Sequence, residues 1–399
     1  MPDRWEKFLV SRALIMARAF VGLLLTASAG VSANTWYVAA SGRNSNPCTL
    51  SKPCATIERA SSLARPGDTV IVEPGTYGRF VTNASGTPTA AITYRSAERW
   101  GAKLVQEMQG AVWDNHGSYV IIDGFEVVGD PTAFGTGGIS TDAPYTIIEH
   151  NKVHGILPKT CNDWGGAGIY ASSSHDQVIG NWVYGNGPKP CPWVHGIYFD
   201  SPYGLAAENI VFQNGGFGIH EWHQATNIIV VNNTLFQNGC GGIVVGNEGS
   251  SQLTPSVNDH SFTVNNIVYD NGPCRPVGGS KLEGYGISEC CRAGETGACN
   301  VYHHNLAFGN YSANIDVNIP AGPGNNGNII ADPKFVNYRP DGSGDYHLLP
   351  SSPALGEGLA TDSACGIRVT FPRFDFSGRP RPNSRRNSGF ELGAYQGSR

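Results

Sequence analysis

Apolar and polar positions in this chain do not follow a helical period. Between residues 120 and 310 they fall into short runs of β-branched residues, such as "DQVIG" and "ATNIIVVN", broken by polar turns. Six segments align without gaps on an Asn: "NKVHG" at 151, "NWVYGNG" at 181, "NIVFQNG" at 209, "NTLFQNG" at 233, "NIVYDNG" at 266 and "NLAFGN" at 305. Their spacings are 30, 28, 24, 33 and 39 residues, so a unit of about two dozen residues carries variable insertions. Each unit also holds a Gly-Ile pair: Gly138-Ile139, Gly168-Ile169, Gly196-Ile197, Gly218-Ile219, Gly242-Ile243 and Gly286-Ile287. Every repeat therefore reads as three short strands separated by polar turns.

Three strands per two dozen residues with an Asn at one fixed turn predict a parallel β-helix, an all-β solenoid. Asn tolerates the left-handed turn conformation, and stacked Asn side chains can bond to one another and to the backbone. A β-propeller would need units of ~40–45 residues with an aromatic blade motif, and none is present. Solenoid stacking also explains how so long a chain, with 52 glycines for its turns, is one domain over 34–399.

The ends and the charge refine this. Arg12 and Arg18 precede the apolar run "AFVGLLLTASAG", and "VSA" at 31–33 supplies a small-x-small cleavage pattern, so residues 1–33 read as a signal peptide, with Met16 an alternative start. The run is shorter than the ~20 residues a membrane span needs. The expected mature chain begins near Asn34 and is secreted or periplasmic. Its loss of four basic and two acidic residues takes the totals of 27 and 32 to 23 and 30. No basic stripe points to nucleic acid. All ten cysteines lie in the mature part and read as disulfides of an oxidising compartment.

The chain resembles the right-handed parallel β-helix superfamily often called pectate-lyase-like. The resemblance rests on the repeats and on both ends. "WYVAASGRNSNPCTLSKPCATIERASSLARPGDTVIVEPGTY" is similar to the opening of exported members; there "CATIERASSLA" is a short N-terminal capping helix and 34–80 the cap and first coil. "DPKFVN", "GDYHLLPSSPALGEG", "FDFSGRPRP" and "ELGAYQ" resemble their closing segment, 325–399. In such a fold each coil runs first strand, short turn, second strand, Asn turn, third strand, variable loop, and the Gly-Ile pairs open the first strand.

That register can be checked with cysteines. Cys161 and Cys191 each lie ten residues after their Asn, and Cys240 and Cys274 seven and eight after theirs, so both pairs are expected to bridge adjacent coils. Cys48 and Cys54 can close a local loop, while Cys290, Cys291, Cys299 and Cys365 stay unassigned. With Ile facing inward, alternation turns Ser140, Tyr170, Tyr198, His220, Val244 and Ser288 outward, and two residues on Asp142, Ser172, Asp200, Trp222 and Gly246. Most such columns are small and polar. Two Tyr, a His, an Asp and a Trp on three consecutive coils mark a site. Insertions at 155–167, 185–195 and 246–260 are expected to wall it with Trp164, Trp193, His195, Lys159, Lys189 and Glu248. Aromatic rings beside polar groups suit sugars.

His220, Tyr198 and Asp200 are the expected catalytic residues, with His220 titrating near the working pH as base or acid. Tyr170, Trp222, His223, His195, Trp164, Lys189 and Glu248 are expected to bind substrate. Each also has a plainer reading: surface histidines, stacking tyrosines, an Asp that caps its own turn. Glu221 alternates inward but lies where its strand can end and bend outward. Three function classes fit. A polysaccharide lyase removes the proton α to a uronate carboxylate and eliminates the 4-linked sugar; an epimerase shares that first step. A glycoside hydrolase needs two carboxylates about 5–5.5 or 6.5–9.5 Å apart, for which Asp200 with Glu221 or Glu248 is available. A non-catalytic carbohydrate-binding β-helix needs neither. The resemblance is specific for architecture and weakly specific for reaction; of the three classes the lyase leads, with a polysaccharide substrate and a monomer expected and Ca2+ as the cofactor candidate. The chain departs from calcium-dependent relatives in having no dense Asp cluster and no Lys or Arg in the outward column.

Overall fold

In the computed structural model, residues 33–132, 137–157, 161, 166–247, 257–275, 281–290, 295–318, 326–382 and 389–397 are described. The expected signal peptide lies outside them apart from Ala33, and Asn34–Arg399 forms one compact unit. Three all-parallel sheets run its length, of ten, nine and nine strands, and each strand pairs with its counterpart one coil earlier and one coil later. One coil runs Phe217–Glu221 in the first sheet, Ile229–Val231 in the second and Thr234–Phe236 in the third. This is a parallel β-helix. A short helix, Ile57–Ser61, is N-capped by Thr56, whose hydroxyl accepts from the Arg59 N–H, and buries Ile57 and Ala60 in the main core.

The Gly-Ile register fits the pairing without a slip: Ile139, Ile169, Ile197, Ile219, Ile243 and Ile287 stack and are fully buried. Gly occupies the preceding position because a Cβ there would strike the next coil. At Gly218 it would lie 2.7 Å from Leu235 Cδ2 and 2.9 Å from the Gly242 carbonyl oxygen.

The Asn residues differ from expectation in an instructive way. The left-handed φ belongs to the residue before each, at His150, Glu208, Asn232, Asn265 and His304. Asn itself is selected for its amide. Asn209 Nδ2 donates to Val178 O at 2.8 Å and to Asn233 Oδ1 at 2.9 Å, while its Oδ1 accepts from the Asn181 N–H at 2.8 Å. A second ladder, Asn186, Asn214, Asn238, Asn271 and Asn310, repeats this pattern after the third strand. Asn209→Leu strands the Val178 carbonyl and the Asn181 amide, at about 1–3 kcal/mol for each buried group left unpaired. Urea unfolding of the variant should therefore show a lowered midpoint.

The closing segment does not continue the solenoid; it straps back over two of the three outer faces. Phe335, Tyr346, Phe376 and Leu392 pack on Ile210, Phe212, Phe236 and Ile267 of the third sheet. Val369, Phe371 and Phe390 cover Leu205, Ile229, Phe262 and Val301 of the second. At the corner between them Arg381 Nε donates to Glu208 Oε1 at 3.1 Å, and both side chains are buried. Among the described residues, neither of these strap clusters packs on the outer face of the first sheet.

Candidate functional site

The site is built on that remaining face. The outward column runs in register through Asp114, Ser140, Tyr170, Tyr198, His220, Val244, Ser288 and Asp316. All eight line a cleft of about 1050 Å³. The column is covered only in part: Tyr198, Val244 and Ser288 are buried, Asp114, Ser140, Tyr170 and His220 half-buried, and Asp316 exposed. Pro192 and Trp193 form part of one wall, and Cys274, Glu283 and Tyr285 another.

Disulfides fix these walls at the positions the spacing predicts. Cys161–Cys191 has a Cα separation of 5.6 Å and Cys240–Cys274 one of 4.7 Å. Cys48–Cys54 closes the amino-terminal loop, and Cys299–Cys365, which spacing left unassigned, ties the last coils to the closing segment. The insertion after Gly246 leaves from the carboxyl end of the first strand, since the next strand begins only at Phe262. Residues 248–256 of the wall expected from 246–260 lie outside the described residues; Cys274 and Glu283, ahead of the strand Tyr285–Cys290, line the cleft.

His220 is the centre. Its Nδ1 lies 2.9 Å from His195 Nε2, and the ring contacts Tyr198 edge-on at 5.0 Å and Trp222 at 5.6 Å. Burial, then the neighbouring His195 and His223, hold it well below the ordinary imidazole range. This corrects the expectation of a residue titrating near the working pH: His220 is a neutral imidazole. His195 belongs to the strand Val194–Phe199 rather than to a loop, is 5% exposed, and is pushed down to about 3 by burial. Its ring stacks between Tyr198 and Phe217, at 5.4 and 5.9 Å.

Tyr170 donates to Asp200 Oδ2 at 2.9 Å, and burial together with that carboxylate keeps its phenol protonated far up the scale. Asp200 also accepts from Ser201 Oγ at 3.0 Å and is not among the residues lining the cleft, so it anchors Tyr170 from behind. Trp222 and His223 line the cleft. Gly246 lies under the Trp222 ring, where a Cβ would come within 2.6 Å of Cζ3.

Lys189 departs from expectation: its Nζ donates to Gln237 Oε1 at 3.0 Å and it does not line the cleft. Trp164, Lys159 and Glu248 lie outside the described residues. Asp114 and Asp316 escaped sequence reasoning because Val112 and Asn314 replace the Gly of the Gly-Ile motif; extending the register by one coil each way would have found them. A calcium site does not fit this cleft among the described residues. Asp200 is engaged as above, Asp114 pairs with Arg79 at 3.0 Å, and Glu289 accepts from Tyr302, Thr296 and Asn318. The groups of three potential ligands lie elsewhere, one of them around the Cys299–Cys365 disulfide.

Glu221 does not bend outward. It points into the solenoid, fully buried, with Oε2 accepting from Asn258 Nδ2 at 2.8 Å and Oε1 without a described partner. Burial raises its carboxyl to about 7. A folded-state value above the ordinary 4.5 means stability that is full below pH 4.5 and lost as pH rises towards 7, about 3 kcal/mol in all. Glu221→Gln should flatten that part of the pH–stability curve, as read by urea midpoints at pH 4.5 and 8; an unchanged difference from wild type across that range would refute the assignment.

These features define the class: a right-handed parallel β-helix whose first sheet floors a cleft rich in tyrosine, histidine and tryptophan. Residues 105–288 match the family model described as right handed beta helix region. Among solved structures, pectate lyase Pel9A is similar at 17% identity with a TM-score of 0.50, over 92% of this chain and 97% of that one. A rhamnogalacturonan lyase follows at 14% identity, 80% and 96% coverage and a TM-score of 0.47. An alginate lyase from Paenibacillus sp. str. FPU-7 follows at 18%, 75% and 98%, and 0.42. No curated protein matches. At 17% identity the likeness to pectate lyase Pel9A speaks for the fold alone.

Proposed function

We propose that the protein is a polysaccharide lyase that cleaves a uronic-acid-containing glycan by β-elimination in this cleft. The observation that carries the reading is the pair of Tyr198 and the neutral His220 on adjacent rungs, ring to ring, on the floor of a groove with Trp193 and Trp222 beside it. β-Elimination needs a base for the proton α to the carboxylate, a donor to the charge that develops there, and an acid for the leaving oxygen. Tyr198 and His220 can supply all three between them. The pairing of Asp200 with Glu221 that a hydrolase could use is split, because Asp200 lies on the outer side of the first sheet and Glu221 on the inner side, while Glu248 lies outside the described residues.

The polymer is one whose uronates are spaced by neutral or amino sugars. Asp114, Glu283, Glu289 and Asp316 line the cleft, and no Lys or Arg does so among the described residues, which disfavours a densely anionic chain. The disulfides fit export to a secreted or periplasmic location after removal of residues 1–33, with the protein acting as a monomer. No described helix is long and apolar enough to cross a membrane. Incubation with homopolymeric and alternating uronate glycans, followed by absorbance of an unsaturated product, tests the reading. Reducing ends without that absorbance would mean hydrolysis. Silence in both would mean a binding protein.

A further inference from the structure

The buried His195 and the half-buried His220 do more than touch. The Phe217 backbone N–H donates to His195 Nδ1 at 3.3 Å. A backbone amide is only a donor, so Nδ1 of His195 carries no proton, and the one proton of this neutral ring sits on Nε2. That Nε2–H faces His220 Nδ1 at 2.9 Å and must donate to it. The single proton of His220 is thereby confined to Nε2, the nitrogen left for the cleft that His220 lines.

We propose that His195 is a positioning residue that holds His220 as a neutral Nε2–H donor, so that His220 stabilises charge developing on the substrate carboxylate instead of removing a proton. A neutral imidazole can serve as such an electrophile. The catalytic part of the inference rests on the lyase reading; the tautomer does not. It assigns the remaining chemistry to Tyr198. Tyr198 first loses its phenol proton to solvent; its oxygen then takes the C5 proton, the C5–H electron pair becomes the C4=C5 double bond, the C4–O4 pair leaves on O4, and the re-formed phenol gives its proton to O4. The tyrosine ends as the phenolate that took the C5 proton, and no metal is consumed or required in the balance. Around His220 stand Tyr198, His223, Trp222, Phe217 and His195, none of which carries a fixed positive charge to compete for the role.

The full chain labelled with 15N-histidine, read by long-range 1H–15N correlations and assigned with the two histidine variants, tests this directly. His195 and His220 should both appear as neutral Nε2–H tautomers between pH 5.5 and 8. An Nδ1–H or charged His220 in that range overturns the proposal. His195→Gln preserves an acceptor for Phe217 N–H and a donor for His220, and should keep most of kcat. His195→Leu should shift His220 towards Nδ1–H and lower kcat on the order of 10²-fold with little change in KM. A Leu variant that keeps both kcat and the Nε2–H tautomer also overturns it. If no glycan yields unsaturated product from the wild type, the lyase reading fails, and the correlations still decide the role of His195.

Discussion

His220→Ala is expected to lower turnover of a cleaved glycan by roughly 10²–10³-fold, the effect of removing one donor aimed at developing charge. Stability should change little. The side chain points away from the solenoid interior, and the variant loses one hydrogen bond from His195, about 1 kcal/mol. Tyr198→Phe should cost a comparable factor if the phenol moves the proton, and much less if the ring only stacks against sugar. Steady-state rates from unsaturated-product absorbance, paired with urea midpoints, check both. Full activity in His220→Ala would move the chemistry towards Glu283 and Glu289 at the other end of the cleft.

Arg381→Met should be strongly destabilising. Its guanidinium donates to Glu208 Oε1 and to the Gly393 carbonyl at 2.7 Å, in a corner closed to water. Removing it leaves a buried carboxylate uncompensated, which typically costs 3–5 kcal/mol. Replacing both partners, as Glu208→Gln with Arg381→Met, removes the uncompensated charge, so the double variant should recover much of the loss. The comparison of urea midpoints across the cycle measures this; equal losses in single and double variants would show that the strap is held by Phe335, Tyr346 and Phe376 packing alone.

Both expectations concern groups of very different legibility. The outward column, including Tyr170, Tyr198 and His220, could be read from the Gly-Ile repeats, because in a solenoid the neighbour in space is the next repeat in sequence. Cys161–Cys191 and Cys240–Cys274 followed from the same offsets. The second Asn ladder was equally present in the recurring "NG" five residues after Asn181, Asn209, Asn233 and Asn266.

What the chain determined by itself, then, is everything periodic: three strands per coil, which residues face in, and which side chains share a face. A pleated strand admits only two sides and a stacked coil only one register, so local order suffices. Tertiary structure alone decided the aperiodic part. Arg381 reaches Glu208 across 173 residues, and nothing in either neighbourhood marks the partner. His195 lies in the first strand and meets His220 with its ring stacked between Tyr198 and Phe217, and that burial, which no spacing encodes, lowers the pKa of both rings. Lys189 turned to Gln237 for the same reason: a long flexible side chain goes to whichever acceptor the packed loops leave within reach.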